Sequence, residues 1–156
     1  MDQRDRDFMM KAGEAGKAEV ILSNLAIERA SNPDVKDFAR RMIDDHTRNN
    51  AELEKLASDK GVSLPKDLHR KHQEVRDKLQ NADGRNFDRQ YMDAMLEDHR
   101  KVVDEFRTEK ENVEDSDLKN FVEKTLPILE SHLRNARDIT DRIGVTKDAS
   151  REERAR

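Results

Sequence analysis

Apolar residues recur at helical spacing through four long stretches of the chain. The first covers about residues 5–30, with Phe8, Ala12, Ala15, Glu19, Leu22 and Ala26 on one line. It ends at Ser31-Asn32-Pro33, a breaker followed by a proline suited to the first turn of the next helix. The second runs from about Pro33 to Lys60 and stops at Gly61, with Val35, Phe38, Met42, His46, Asn49, Leu53 and Leu56 inward. The third, about Arg85 to Asn112, turns Phe87, Tyr91, Met95, His99, Val102 and Phe106 inward. The fourth starts near Ser116, an N-cap candidate, and is expected to end at Ile143 before Gly144. Its inner line is Leu118, Val122, Thr125, Leu129, His132, Ala136, Ile139 and Ile143. Pro127 interrupts the hydrogen-bond ladder of this helix and is expected to kink it.

A helix over 33–60 is roughly 42 Å long at 1.5 Å per residue. The connection from Gly61 to Gly84 has enough residues to run back along such a helix. It holds one short amphipathic helix, about Pro65 to Gln80, with Leu68, His72, Val75 and Leu79 on one face. The pattern therefore predicts an all-α, ferritin-like four-helix bundle whose long crossover between helices two and three carries a short fifth helix. The bundle is expected over residues 1–144, with 145–156 a charged, disordered tail.

Composition narrows the function classes. Of the 156 residues, 42% are charged and 33% apolar, so the core is thin. The net charge of −4 and the lack of a basic patch with interleaved aromatics argue against a nucleic-acid partner. The absence of cysteine removes disulfides, thiolate metal sites and thiol nucleophiles. No stretch reaches the roughly 18 apolar residues of a membrane span.

The informative positions are those where polar residues interrupt the apolar lines: Glu19, His46, His99 and His132, one per long helix. Their heights agree. Glu19 lies 13 residues before Asn32 and His46 lies 14 after it; His99 lies 17 before Ser116 and His132 lies 16 after it. These offsets are roughly 20 and 25 Å, near the middle of the bundle. His72 falls at the centre of the crossover on its apolar face. Neutral imidazoles with a carboxylate suit a divalent transition metal such as zinc, iron, manganese or copper. Without metal, the same groups are buried polar atoms short of partners. A histidine on an amphipathic helix faces inward roughly one time in three, so three doing so at one height are not a casual pattern. His69, three residues before His72, is flanked by Lys66, Arg70 and Gln73 and is expected to be exposed.

Met42-Ile43-Asp44-Asp45-His46 and Met95-Leu96-Glu97-Asp98-His99 repeat one local sequence. Asp45 and Asp98 sit about 100° round from their histidines, placed to accept the free ring N–H of a ligand on a neighbouring helix. Pairing with Arg41 or Lys101 in solvent accounts for them equally well. Tyr91 and Asn49 are further inward candidates for supporting contacts. Met42 and Met95 are possible soft ligands, though such methionines more often fill a core. The glutamate three residues before histidine that marks di-iron bundles is missing: Ile43, Leu96 and Leu129 stand there.

At these residues the sequence resembles the bacterial ferritin-like family called domain of unknown function 4142. The matching stretches are Ala18-Glu19-Val20, Ser31 to Lys36, Met42 to His46, Phe87-Asp88 with Tyr91-Met92, Asp98-His99, and Thr125-Leu126-Pro127 with His132-Leu133. The resemblance covers about residues 7–140 and implies a four-helix ferritin-like fold without an assigned activity. Members often carry a secretory or lipoprotein signal. That implies a periplasmic or cell-envelope location if such a signal has been removed, and a cytoplasmic one otherwise. Three readings stay open: a metal-binding bundle with a stress-related or redox role, a metal-free structural or interaction protein with a buried histidine layer, and a hydrolase using metal-bound water.

Overall fold

The structure, a computed structural model, describes residues 1–155 in backbone and 1–144 in side chain. Five helices follow one another: α1 (Gln3–Arg29), α2 (Pro33–Lys60), α3 (Arg70–Gln80), α4 (Gly84–Asn112) and α5 (Ser116–Ala155). The hairpins α1–α2 and α4–α5 pack side by side, with α1 against α4 and α2 against α5. The crossover helix α3 lies over α1 and α4. This is the expected ferritin-like arrangement. No helix among the described residues is long and apolar enough to cross a membrane.

The helix ends follow local chemistry. Asn32 caps α2 through Oδ1, which accepts the Asp34 N–H at 2.8 Å, and Pro33 fills the first turn. Gly61 closes α2 at φ 69°, a left-handed conformation that disfavours side chains. Three sequence expectations need correction. The cap of α5 is Asp115, not Ser116, since Asp115 Oδ1 accepts the Leu118 N–H at 2.9 Å. The crossover helix starts at Arg70 rather than near Pro65, because His69 Nδ1 accepts the Lys71 N–H and caps it there. Helix α5 continues past Ile143. Gly144 does not take up a positive φ, and a glycine within a helix costs only about 1 kcal/mol relative to alanine. Pro127 lies inside this continuous helix. The disorder expected of 145–156 falls outside the residues described in side chain.

Two buried aspartates tie the turns to the bundle. Asp88 accepts the backbone N–H groups of Ser31 and Asn32 at 2.9 and 3.0 Å and the Ser31 hydroxyl at 2.7 Å. At the other end, Asp5 Oδ2 accepts the Glu114 and Asp115 N–H groups at 3.2 and 2.9 Å. Between these ends the apolar core divides in two. One cluster gathers Leu22, Phe38, Met42, Phe87, Tyr91 and Met95; the other gathers Phe8, Leu53, Phe106, Leu118, Val122 and Leu129. Glu19, His46, His99 and His132 lie along the chain between the two sets and are all buried.

Candidate metal centre

The three histidines on α2, α4 and α5 meet in the bundle core. Ring centroids are 5.8 Å apart for His46–His99, 5.2 Å for His46–His132 and 5.4 Å for His99–His132. One nitrogen from each falls in a group whose members all lie within 4.8 Å of one another. Exposure is 4% for His46, 1% for His99 and 0% for His132, so the rings are shut off from bulk water.

Hydrogen bonds fix which nitrogen is free in two of the three rings. His99 Nδ1 lies 2.8 Å from the Met95 carbonyl, which can only accept, so Nδ1 carries the proton and Nε2 keeps its lone pair. His132 Nε2 lies 2.7 Å from Asp45 Oδ2, so its Nδ1 is the unprotonated nitrogen. The atoms left without a hydrogen-bond partner are His46 Nε2, His99 Nε2 and His132 Nδ1. A carboxylate or carbonyl behind a ligating histidine, setting its tautomer and orientation, is the usual support of a metal site.

The charge balance keeps these rings neutral. Burial pushes the His46 pKa well below its ordinary value, and its two histidine neighbours add to the effect. Burial, with His132 nearby, lowers His99 to about 4. Burial also lowers His132 despite the opposing pull of Asp45. Asp45 stays ionised: burial alone would raise its pKa, but the hydrogen bonds from His132 and Arg48 bring it below the ordinary carboxylate value. The layer therefore offers three unprotonated imidazoles with one anion behind them.

His72 and Glu19 stand differently. Both ring nitrogens of His72 face carboxylates: Nδ1 is 2.8 Å from Glu14 Oε2, and Nε2 is 3.2 Å from Asp98 Oδ2, off the line of a good hydrogen bond. These contacts, Asp98 first and then Glu14, raise His72 to about 10. Held as an imidazolium, it clamps α3 onto α1 and α4 and lies outside the three-nitrogen group. Glu19 is not in the three-nitrogen group. Burial first, and the Asp98 charge second, raise its pKa well above the carboxylate range, so it is a neutral acid. Asp98, on the opposite seam from Asp45, serves His72 rather than a member of the triad. Tyr91 lies in the apolar cluster and bonds Ser23 Oγ at 2.6 Å, away from the histidines. Asn49 lines a cavity beside His46 and His99. Met42 and Met95 side chains belong to the apolar core.

Glu14 is the residue that sequence reading missed. Its signal was slight: a partly buried glutamate facing the unplaced crossover. It holds His72 and also accepts the His69 N–H at 2.8 Å. His69 itself is exposed, as its basic neighbours suggested.

The family model described as "Domain of unknown function (DUF4142)" matches residues 1–139. The chain belongs to the DUF4142 family. No curated protein sequence matches it. Among solved structures, it is similar to a DUF305 fragment from Deinococcus radiodurans, with TM-score 0.81, 11% identity, and coverage of 90% of this chain and 97% of that one. It is also similar to CopM in the Cu(II)-bound form, with TM-score 0.75, 19% identity, and coverage of 88% and 96%. The Cu(I)-bound form of CopM gives TM-score 0.72 at 19% identity, with coverage of 86% and 93%. At these identities the likeness speaks for the shared helical bundle. The histidine layer stands on this DUF4142 chain's own geometry.

Proposed function

We propose that this protein binds one transition-metal ion through His46, His99 and His132, and that copper fits the site best. The observation that carries the proposal is that three buried histidines each bring one ring nitrogen within 4.8 Å of the others, and that each has a ring nitrogen without a hydrogen-bond partner. In a metal-free polar layer each such nitrogen that no buried water reaches would be unsatisfied, at a cost of about 1–3 kcal/mol apiece. A bound ion would satisfy all three at once.

The donor set argues for the metal. Three imidazoles without a coordinating carboxylate suit copper or zinc, whereas manganese favours oxygen donors and non-haem iron sites commonly add a carboxylate. Cu(I) adds a single positive charge to a dry core, and the Asp45 carboxylate balances it. Support for copper over zinc comes also from the similar CopM bundle, whose structures include Cu(II)-, Cu(I)- and Ag-bound forms. The envelope location implied by the family would suit such a protein, and a stress-related or redox role would be built on this site.

The test is a Cu(I) competition titration against a chromophoric chelator, using protein without an affinity tag. One ion per chain is expected. His132→Ala should weaken binding at least about tenfold, since losing even a supporting contact commonly costs 10- to 100-fold. His69→Ala should leave affinity unchanged. Equal effects of the two substitutions would place binding on the surface and overturn the proposal.

A further inference from the structure

Beside the triad lies a cavity of about 30 Å³, lined by α1, α2, α4 and α5. A buried site needs roughly 10–15 Å³ to hold one water, together with two to four polar partners. This cavity meets both conditions. Its walls include Glu19, His46, Asn49, His99 and Thr125. Glu19 Oε2, Asn49 Nδ2 and Thr125 Oγ1 are buried without a hydrogen-bond partner, as are His46 Nε2 and His99 Nε2. Glu19, His46, His99 and Thr125 are each at most 4% exposed. A donor amide, a hydroxyl and a carboxyl group thus line one small space that shares two walls with the proposed metal site. The other side of the cavity is apolar, with Ala15, Leu53 and Phe106. Gly16 belongs to its construction. A Cβ there would collide with the Asn50 carboxamide oxygen, so glycine is what lets Asn50 lie over this part of α1.

We infer that this chamber is a pocket for an exogenous ligand, seating one water-sized or diatomic molecule against the open side of a metal held by His46, His99 and His132. The inference rests on the metal-site reading above. Three protein ligands commonly leave a fourth position to water or substrate. In this bundle the chamber supplies the space for such a molecule, and Asn49, Thr125 and Glu19 supply its hydrogen bonds. The ligand class is neutral and small: water, or a diatomic gas. A larger anion fits neither the volume nor the partly apolar wall.

Carbon monoxide on the Cu(I)-loaded protein is the probe, read by the infrared C–O stretch after copper uptake has been established by titration. The wild-type protein should give one sharp C–O band. Ala15→Leu places an isobutyl group in the chamber and should weaken carbon monoxide binding at least tenfold, while Cu(I) affinity stays within threefold. Thr125→Val keeps the side-chain shape, removes the hydroxyl and should shift the band, which keeps the test decisive if Ala15→Leu folds poorly. Copper uptake without a C–O band in the wild type overturns the chamber alone. So does a band unchanged by Thr125→Val with affinity unchanged by Ala15→Leu. No copper uptake overturns the metal site and the chamber together.

Discussion

Replacing Asp45 by alanine should weaken both the metal site and the fold, by separable routes. Asp45 Oδ2 is the acceptor for His132 Nε2–H at 2.7 Å, and the His132 side chain is fully buried. Without the carboxylate, that N–H becomes a buried unsatisfied donor, which costs about 1–3 kcal/mol of stability in the metal-free protein. The imidazole also loses the partner that keeps its Nδ1 lone pair on the triad side. Such losses cost about 10- to 100-fold in metal affinity, or roughly 1.4–2.7 kcal/mol. Asp45 also meets Arg48 at 2.7 Å and Arg41 at 3.7 Å, but both arginines are largely exposed. Their pairs contribute at most about 1 kcal/mol. Arg48→Ala is therefore the control: it removes an exposed partner and spares the bond to His132. Asp45→Asn keeps an acceptor without the charge and should fall between wild type and alanine. The assay is chelator competition at pH 7.5, paired with urea unfolding of the metal-free variants. An Asp45→Ala affinity within threefold of wild type, or a loss equalled by Arg48→Ala, would refute the assigned role of this bond.

Three further outcomes follow, two from charge states and one from the hydrogen bonds of Asp88. The unfolded chain protonates its histidines near pH 6.5, whereas folded His99 does so only near 4. Stability should thus be complete above about pH 6.5 and fall as pH drops, at about 1.4 kcal/mol per unit from His99 alone; urea unfolding between pH 7.5 and 4.5 checks this, and a flat profile contradicts it. His72, raised to about 10, has the opposite linkage: its contribution is complete below about pH 6.5 and lost as pH rises through 10. His72→Gln should lower stability at pH 7 by on the order of 1 kcal/mol after solvent screening and leave Cu(I) affinity within threefold; a tenfold loss would make it a ligand after all. Asp88→Ala removes three hydrogen bonds from the α1–α2 turn and should cost about 2–4 kcal/mol, measured by thermal or urea unfolding, without affecting metal binding.

The bundle was legible because its helices are long and their apolar lines regular. Asn32-Pro33 and Gly61 mark their boundaries by backbone chemistry that depends on no tertiary contact. The histidines at 46, 99 and 132 stood out because each breaks an apolar line, and equal distances from the turns put them at one height. The structure brings their rings together. The crossover was harder to read. Periodicity shows that His72 lies on the docking face of α3, but not which residues that face meets. Glu14 and Asp98, one on each side, turn an apparent ligand into an imidazolium clamp. Glu19 shows a second limit: its inward position was readable, but its protonation depends on burial beside Asp98, on another helix. Tyr91 shares the inward line of His99 yet lies two turns away, and only packing reveals Ser23 as its partner. Ser116 shows that a favourable cap residue does not cap a helix where its neighbour Asp115 does so, and Gly144 that a glycine need not end one.

The central claim is that His46, His99 and His132 hold one metal ion in the bundle core. Anomalous diffraction from crystals of the copper-loaded protein, collected on both sides of the copper edge, tests it most directly. The account predicts one strong peak per chain among His46 Nε2, His99 Nε2 and His132 Nδ1, absent in His132→Ala crystals. Copper found only at exposed sites such as His69, or no anomalous peak in the core of protein that has taken up copper, would contradict it.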